Sequence, residues 1–373
     1  MRVAIITLMG RFNCGNKLQN YAVQSVLNRH GCDACTIAYR AEAKDESKWI
    51  KIKAYVKGLL YKLGITEKDF YLKYIDKNPR EILFCRFDEK YIKTTKKYFL
   101  LKDKMKKYQS DFDYYSVGSD QVWNFNGVRD NGFFFLRFAP SHKTFSFSAS
   151  MGTTNVPPEY MDNFIGGLNH VGAISVREDD ARDFILKHTG RESTVLLDPT
   201  LLLSKEEWKS VSNPPAFKLP EKYIATYFLS RITESQKKYI YEYASKNNLP
   251  VIDMEQTYRS QIGPSEFVHI ISNAEFIFTD SFHGTAFSII FNKNFLAFQR
   301  NYRYDMSSRI TTLLNKVELE NRFMNVENNE IGDGFYSLAE EIKNQDTSHV
   351  GEILKEEQNK ADAFIKKALG CEE

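Results

Sequence analysis

Cysteine is scarce in this chain of 373 residues, with five at positions 14, 32, 35, 85 and 371. Their irregular spacing excludes a disulfide framework and fits a reducing compartment. Cys32 and Cys35 stand at C-x-x-C spacing, but no second Cys or His pair completes a metal site, so no metal is expected. Uncharged apolar runs never reach the roughly 18 residues that a membrane span needs. The apolar start, Val3 to Leu8, is too short for a secretory leader and reads as a buried strand, which places the protein in the cytoplasm as an expectation. The glycines nowhere fit G-x-G-x-x-G, so a dinucleotide fingerprint is missing. Internal repeats and low-complexity tracts are lacking too, and no nucleic-acid-binding module accompanies the basic residues, so nucleic acid is not an expected partner.

What is present is ordinary for a folded chain, 42% hydrophobic and 27% charged residues. The length suggests two domains with room for a deep cleft. A net charge of +3 hides an asymmetry, because Lys44 to Lys107 holds 19 Lys and Arg against 9 Asp and Glu, a balance of +10 that leaves −7 for the rest. Within that span Ala54 to Leu63 mixes apolar and basic positions, as a surface helix on anionic lipid would, or as a solvated helical insertion would.

The first 40 residues alternate strand, loop, helix and strand: Val3 to Leu8, Gly10 to Asn16, Leu18 to Arg29, Ala34 to Tyr39. Further buried strands read at Tyr114 to Val117, Lys143 to Ala149, Ala173 to Val176 and around Val195. After an irregular stretch, Lys205 to Pro220, the alternation restarts at Tyr223 and runs to Phe298. This pattern is α/β with mostly parallel sheets. The expected division is an N-terminal α/β domain over 1–200, carrying a basic helical insertion at 44–107, then a C-terminal α/β domain over 201–336. Charged helices over 337–373 are expected to pack across both domains.

The most telling junction is Glu275 to Phe291, where the apolar strand Phe276 to Phe278 breaks at Asp280 and Ser281 into a helix. His283 and Gly284 then sit at a helix start, where free N–H groups and the positive dipole end suit an anion. The same residues read equally well as a Ser or Asp N-cap followed by a packed histidine. Downstream, Arg300, Arg303 and Arg309 offer three guanidiniums to an oxyanion-rich ligand, or to surface ion pairs. Asp120 and Ser119 end a strand, where ligands of open α/β sheets collect. The Gly15-Asn16 turn could approach a ligand closely, and Tyr21 and Trp123 could stack on a sugar ring.

Six segments in order resemble the polysaccharide pyruvyl transferase family: Gly15 to Ala22, Gly118 to Trp123, Ser148 to Gly152, Ile174 to Glu178, Leu197 to Thr200 and Asp280 to Thr285. The resemblance implies two Rossmann-like domains facing a cleft, similar to the GT-B glycosyltransferases. It implies transfer of a pyruvyl group from phosphoenolpyruvate to a sugar, forming a cyclic ketal and releasing phosphate, with no cofactor beyond that donor. The acceptor would be a surface polysaccharide or its lipid-linked precursor, and peripheral contact with the inner face of a membrane would follow. In this picture the N-terminal domain is the acceptor side and the C-terminal domain the phosphoenolpyruvate side.

The resemblance further implies that Arg177 and His283 hold phosphoenolpyruvate. Around them Ser281, Gly284, Arg303, Gly15, Asn16 and Ser119 are candidate substrate contacts, His283 is the candidate acid for the leaving phosphate, and Asp120 the candidate base. Two other readings stay open: a GT-B glycosyltransferase using a nucleotide sugar, and a non-catalytic saccharide-binding partner in polysaccharide assembly.

Overall fold

The computed structural model describes residues 1–10, 12–40, 78–95, 99–100, 111–125, 132–300, 307–325 and 334–371. Most of the basic span, including Ala54 to Leu63, lies outside the described residues, as does Arg303.

The elements alternate as the pattern requires: β1 Arg2–Ile6, α1 Cys14–Arg29, β2 Asp33–Thr36, β3 Tyr39–Arg40, α2 Pro79–Tyr91, β4 Phe99–Leu100, β5 Tyr114–Asp120, β6 Thr144–Ala149, α3 Pro158–His170, β7 Ser175–Val176, α4 Asp179–Thr189 and β8 Thr194–Val195. A second series follows: α5 Lys205–Ser210, β9 Ile224–Tyr227, α6 Glu234–Lys246, β10 Val251–Asp253, α7 Pro264–Asn273, β11 Phe276–Thr279, α8 Phe282–Ile290, β12 Asn294–Phe298, α9 Ser308–Lys316, β13 Phe323–Met324, α10 Gly334–Asn344 and α11 Val350–Ala368.

Two parallel sheets result, ordered β2-β1-β5-β6-β7-β8 and β10-β9-β11-β12-β13, with β3 and β4 as a small separate pair. Strands such as Val3–Ile6 and Phe276–Thr279 are buried on both faces, which explains why they read as continuous apolar runs. In each sheet the strand order reverses beside the first strand, between β1 and β5 and between β9 and β11. A crevice opens at the carboxyl ends of strands at such a reversal.

One hydrophobic cluster runs through both halves, joining Val3 and Leu18 to Trp208, Phe267 and Phe287. The Trp208 ring lies 4.7 Å from that of Phe287 and 5.6 Å from that of Tyr21. Arg80 on α2 forks onto Glu255 of the second half, with Nη1 to Oε2 at 3.1 Å and Nη2 to Oε1 at 2.6 Å. Apolar area and a buried bidentate pair thus hold the two crevices against each other.

Several expectations need revision. The stretch after Lys205 is not all irregular: Ser204 and Glu207 form a reciprocal capping box that starts α5, and Trp208 on it is fully buried. The helix α10 does not cross between the halves, because Phe335, Ala339 and Ile342 pack with Phe278 and Phe298 of the second sheet and with Tyr243 of α6. Only α11 reaches back, where Gln358 Nε2 donates to the Leu202 carbonyl at 3.2 Å and Asp362 meets His30 at 2.8 Å. Trp123 is a core residue that stacks on Phe135 and donates Nε1 to the Phe134 carbonyl at 3.0 Å, so it presents no face to a sugar. Tyr21, partly buried, packs against the core among Phe87, Tyr91 and Trp208. Among the described residues no helix is long and apolar enough to cross a membrane.

Candidate active site

The two crevices meet at α1 and α8. Asn13 caps α1 by accepting from the Asn16 amide at 3.3 Å, so Gly15 and Asn16 lie in the first turn of the helix rather than in a turn before it. The missing Cβ of Gly15 is used by His283: a Cβ there would stand 2.1 Å from Nδ1 and 2.6 Å from Cε1 of the imidazole. Close helix approach, and not ligand approach, therefore requires this glycine. Gly15→Ala should push the ring aside, reducing any activity that depends on His283 while costing about 1–3 kcal/mol of stability. Turnover compared with the urea midpoint of the variant checks this.

On the other side α8 begins at Phe282, which puts His283 and Gly284 in its first turn, and Ser281 Oγ caps it by accepting from the Gly284 amide at 3.4 Å. Thr279 fills the space beside Gly284, where a Cβ would stand 2.3 Å from its Oγ1. The Ser281 hydroxyl and the bareness of Gly284 are thus both engaged within the protein. Asp280 fastens the loop after β9, accepting from the amides of Leu229 at 2.6 Å and Ser230 at 2.9 Å. Arg300 is spent on the same residue, its Nη2 donating to the Asp280 carbonyl at 3.1 Å.

Arg177, at the end of β7, is almost wholly buried. Its Nη1 donates to Asp198 Oδ2 at 2.5 Å, Nη2 lies 3.7 Å from Asp120 Oδ1, and Nε lies 3.9 Å from Glu178 Oε1. The guanidinium also stands 4.3 Å from the centre of the Phe282 ring, a desolvated cation–π contact that ties the N-terminal sheet to α8. Ser119, expected to touch substrate, instead donates Oγ to Asp198 at 2.7 Å and so braces the partner of Arg177. Asp120 ends β5 with a φ of 67°, a left-handed conformation that Asp tolerates better than most residues. Asn16 Nδ2 and the Gln121 amide, the latter at 2.8 Å, hold its carboxylate.

The electrostatics follow from burial. Desolvation opposes the Asp198 charge, but Arg177, His283, Ser119 and Thr200 outweigh it and hold the carboxyl at about 2. A depressed folded value gives stability that is full above the ordinary carboxylate pKa of 3.8 and is lost as pH falls toward 2. About 2–3 kcal/mol should disappear over that window in wild type and not in Asp198→Asn, as measured by acid-dependent unfolding. Glu178 moves the other way, raised chiefly by burial despite Arg177 and a hydrogen bond from Ser150. Burial lowers His283 below the ordinary histidine range, with Asp198 and Asp120 pulling it up and Arg177 and Arg309 pushing it down. His283 is therefore neutral at pH 7 in the protein alone.

Among the described residues, Arg177 Nε and Nη2, Arg309 Nε and His283 Nε2 are buried without a hydrogen-bond partner. Three side chains from β7, α8 and α9 thus converge with unused nitrogens, an arrangement that native interiors avoid unless a ligand completes it. A cleft of about 360 Å³ is lined by Phe12 and Asn13 from the first half and Ser230, Arg231, Gln256 and Arg259 from the second, and none of the three cluster side chains lines it. Asp198, Glu178 and Phe282 also belong to the cluster, around Arg177; each lies inside one of the family-like segments, where its position along the chain does not set it apart. Of the three downstream arginines, Arg309 joins them with a buried, partnerless Nε.

The solved structures most informative for the fold are epimerases. UDP-GlcNAc 2-epimerase from Neisseria meningitidis, bound to UDP-GlcNAc, superposes with a TM-score of 0.52 at 13% identity, covering 98% of this chain and 100% of that one. UDP-GlcNAc 2-epimerase from Methanocaldococcus jannaschii gives 0.51 at 12% identity, covering 93% and 94%. At such identities the likeness shows the fold alone, two α/β domains of GT-B-like architecture. No curated protein matches the chain. The family model for polysaccharide pyruvyl transferase matches residues 13–302, a stretch that contains Gly15, Asp120, Arg177 and His283, and the chain belongs to that family.

Proposed function

We propose that this protein transfers a pyruvyl group from phosphoenolpyruvate to two hydroxyls of one sugar in a surface polysaccharide or its lipid-linked precursor, closing a cyclic ketal and releasing phosphate. The observation that carries this reading is the convergence of Arg177, Arg309 and His283 with buried nitrogens that have no partner among the described residues. Phosphoenolpyruvate brings about three negative charges, and these partnerless nitrogens can serve as hydrogen-bonding groups for it in a site of low dielectric.

The reaction needs no oxidant. The methylene carbon takes a proton on its π pair, leaving the central carbon electron-poor. The first sugar oxygen adds there and loses its proton. The second sugar oxygen replaces the phosphate oxygen on the same carbon, loses its proton, and phosphate leaves with the C–O pair. Asp120, fixed by Asn16, is the base for the acceptor hydroxyl. His283 protonates the departing phosphate after the ligand's charge has raised its pKa. In this reading the donor sits at the seam, held by Arg177 from the first half and His283 from the second.

The deciding assay measures phosphate released from phosphoenolpyruvate with a panel of saccharide acceptors, against nucleoside diphosphate released from sugar nucleotides. Release of nucleoside diphosphate alone overturns the proposal in favour of sugar transfer, and saccharide binding with neither product marks a non-catalytic role. Asp120→Asn should lower turnover at saturating acceptor by about 10²–10⁴-fold, and an unchanged turnover removes the base assignment.

A further inference from the structure

Arg309, in the first turn of α9, is 4% exposed, and it differs from its neighbour Arg177 in one respect. Arg177 has Asp198, Asp120 and Glu178 within 4 Å, so its charge is already balanced inside the protein. Arg309 makes no ion pair among the described residues; its protein partner is the Gln121 amide, whose oxygen, turned toward it, lies 2.8 Å from Nη1 and 3.2 Å from Nη2. Its Nε has no partner among the described residues. A neutral amide satisfies hydrogen bonds without offsetting charge, and the carboxylates that act on the guanidinium, Glu178 and Asp120, lie beyond ion-pair distance and already face Arg177. Burial, followed by Arg177 and Arg300, lowers its pKa to about 9 against the pull of Glu178 and Asp120, and it stays charged at neutral pH. Unbalanced buried charge is costly and rare, and folded proteins keep it where an anion is to be received.

We infer that Arg309 is the phosphate-binding residue of this site, its guanidinium, which makes no ion pair among the described residues, taking the dianionic phosphate of the donor while Arg177 faces the singly charged carboxylate. This assignment rests on the proposed transfer for the identity of the donor, but the need of Arg309 for a phosphate-like anion does not. Gln121 orients the guanidinium and leaves Nε for the ligand.

The test is thermal unfolding of the full chain with and without inorganic phosphate, for wild type, Arg309→Met and Arg309→Lys. Phosphate is expected to raise the wild-type Tm. Arg309→Met should have a ligand-free Tm equal to or above wild type, because an uncompensated charge has gone, and phosphate should no longer shift it. Arg309→Lys should keep part of the shift. In steady state, Arg309→Met should raise KM for phosphoenolpyruvate about 100-fold and abolish product inhibition by phosphate in parallel. A ligand-free Tm that falls in Arg309→Met while the phosphate shift survives overturns the assignment in favour of a structural role, and so does a wild-type Tm that ignores phosphate. If wild type shows the Arg309-dependent phosphate shift but releases no phosphate from phosphoenolpyruvate, the anion site stands and the pyruvyl transfer reading falls.

Discussion

Arg177→Ala is expected to lower the proposed transfer by about a thousandfold and to destabilise the protein by about 3–5 kcal/mol. The two losses share one cause. Asp198 is fully buried and held ionised by Arg177, so truncating the arginine leaves a carboxylate in a low-dielectric interior with only Ser119 and Thr200 as donors. Asp120 and Glu178 lose their counter-ion in the same step. Arg177→Lys separates the two effects. Its ammonium can still neutralise Asp198, so the urea midpoint should recover most of the way, whereas a point charge cannot replace the fork that spans Asp198, Phe282 and a ligand. Activity should therefore stay near that of the alanine variant. A lysine variant with wild-type turnover would remove Arg177 from substrate binding and leave it a brace between the halves.

His283 should produce the second large effect, about 10²–10⁴-fold in kcat for His283→Ala, together with a characteristic pH dependence. Burial keeps the free imidazole neutral at pH 7, and Arg177 and Arg309 add to this. A phosphate dianion arriving beside it reverses the balance, so binding should be coupled to proton uptake. The sign follows for both profiles. For an acid that must be protonated, kcat/KM should fall as pH rises through a value below 6.5, while kcat, which reports the complex, should fall only at a higher pH. Coincident limbs in the two profiles would show that His283 does not carry the proton. Stability moves in the opposite direction: a histidine whose folded pKa is depressed contributes stability present above about 6.5 and lost as pH falls through the folded value. Low pH should thus weaken the unliganded fold where it favours the protonated acid, and phosphate should offset that weakening.

Much of this molecule could be read along the chain. Runs such as Val3–Ile6, Phe276–Thr279 and Phe295–Phe298 could only be strands covered on both faces, and their alternation with amphipathic stretches required parallel sheets. Helix starts were harder. Cys14 and Phe282 open α1 and α8 earlier than apolar periodicity suggests, because Asn13 and Ser281 supply caps whose effect is local and polar. The helix α5 was hidden for the same reason, a capping box in a polar, proline-bearing stretch.

The junction at Asp280 to Thr285 shows where reading by sequence stops. Its residues suited a helix-end anion site or a simple cap, and the structure shows the cap. Ser281 is the cap, Gly284 makes room for Thr279, Asp280 ties down the β9 loop, and only His283 turns a free nitrogen into the cluster. The chain alone determined the fold class, the two α/β halves and the presence of Arg177, Asp120 and His283 at strand ends, because burial periodicity and terminating polar residues are local properties. Only the tertiary structure decided that Gly15 serves His283 rather than a ligand, that Ser119 serves Asp198, and that Arg177 meets three carboxylates within 4 Å while Arg309 makes no ion pair among the described residues. Charge balance in a buried cluster is set by side chains brought together from separate strand and helix ends, and no spacing along the chain records it.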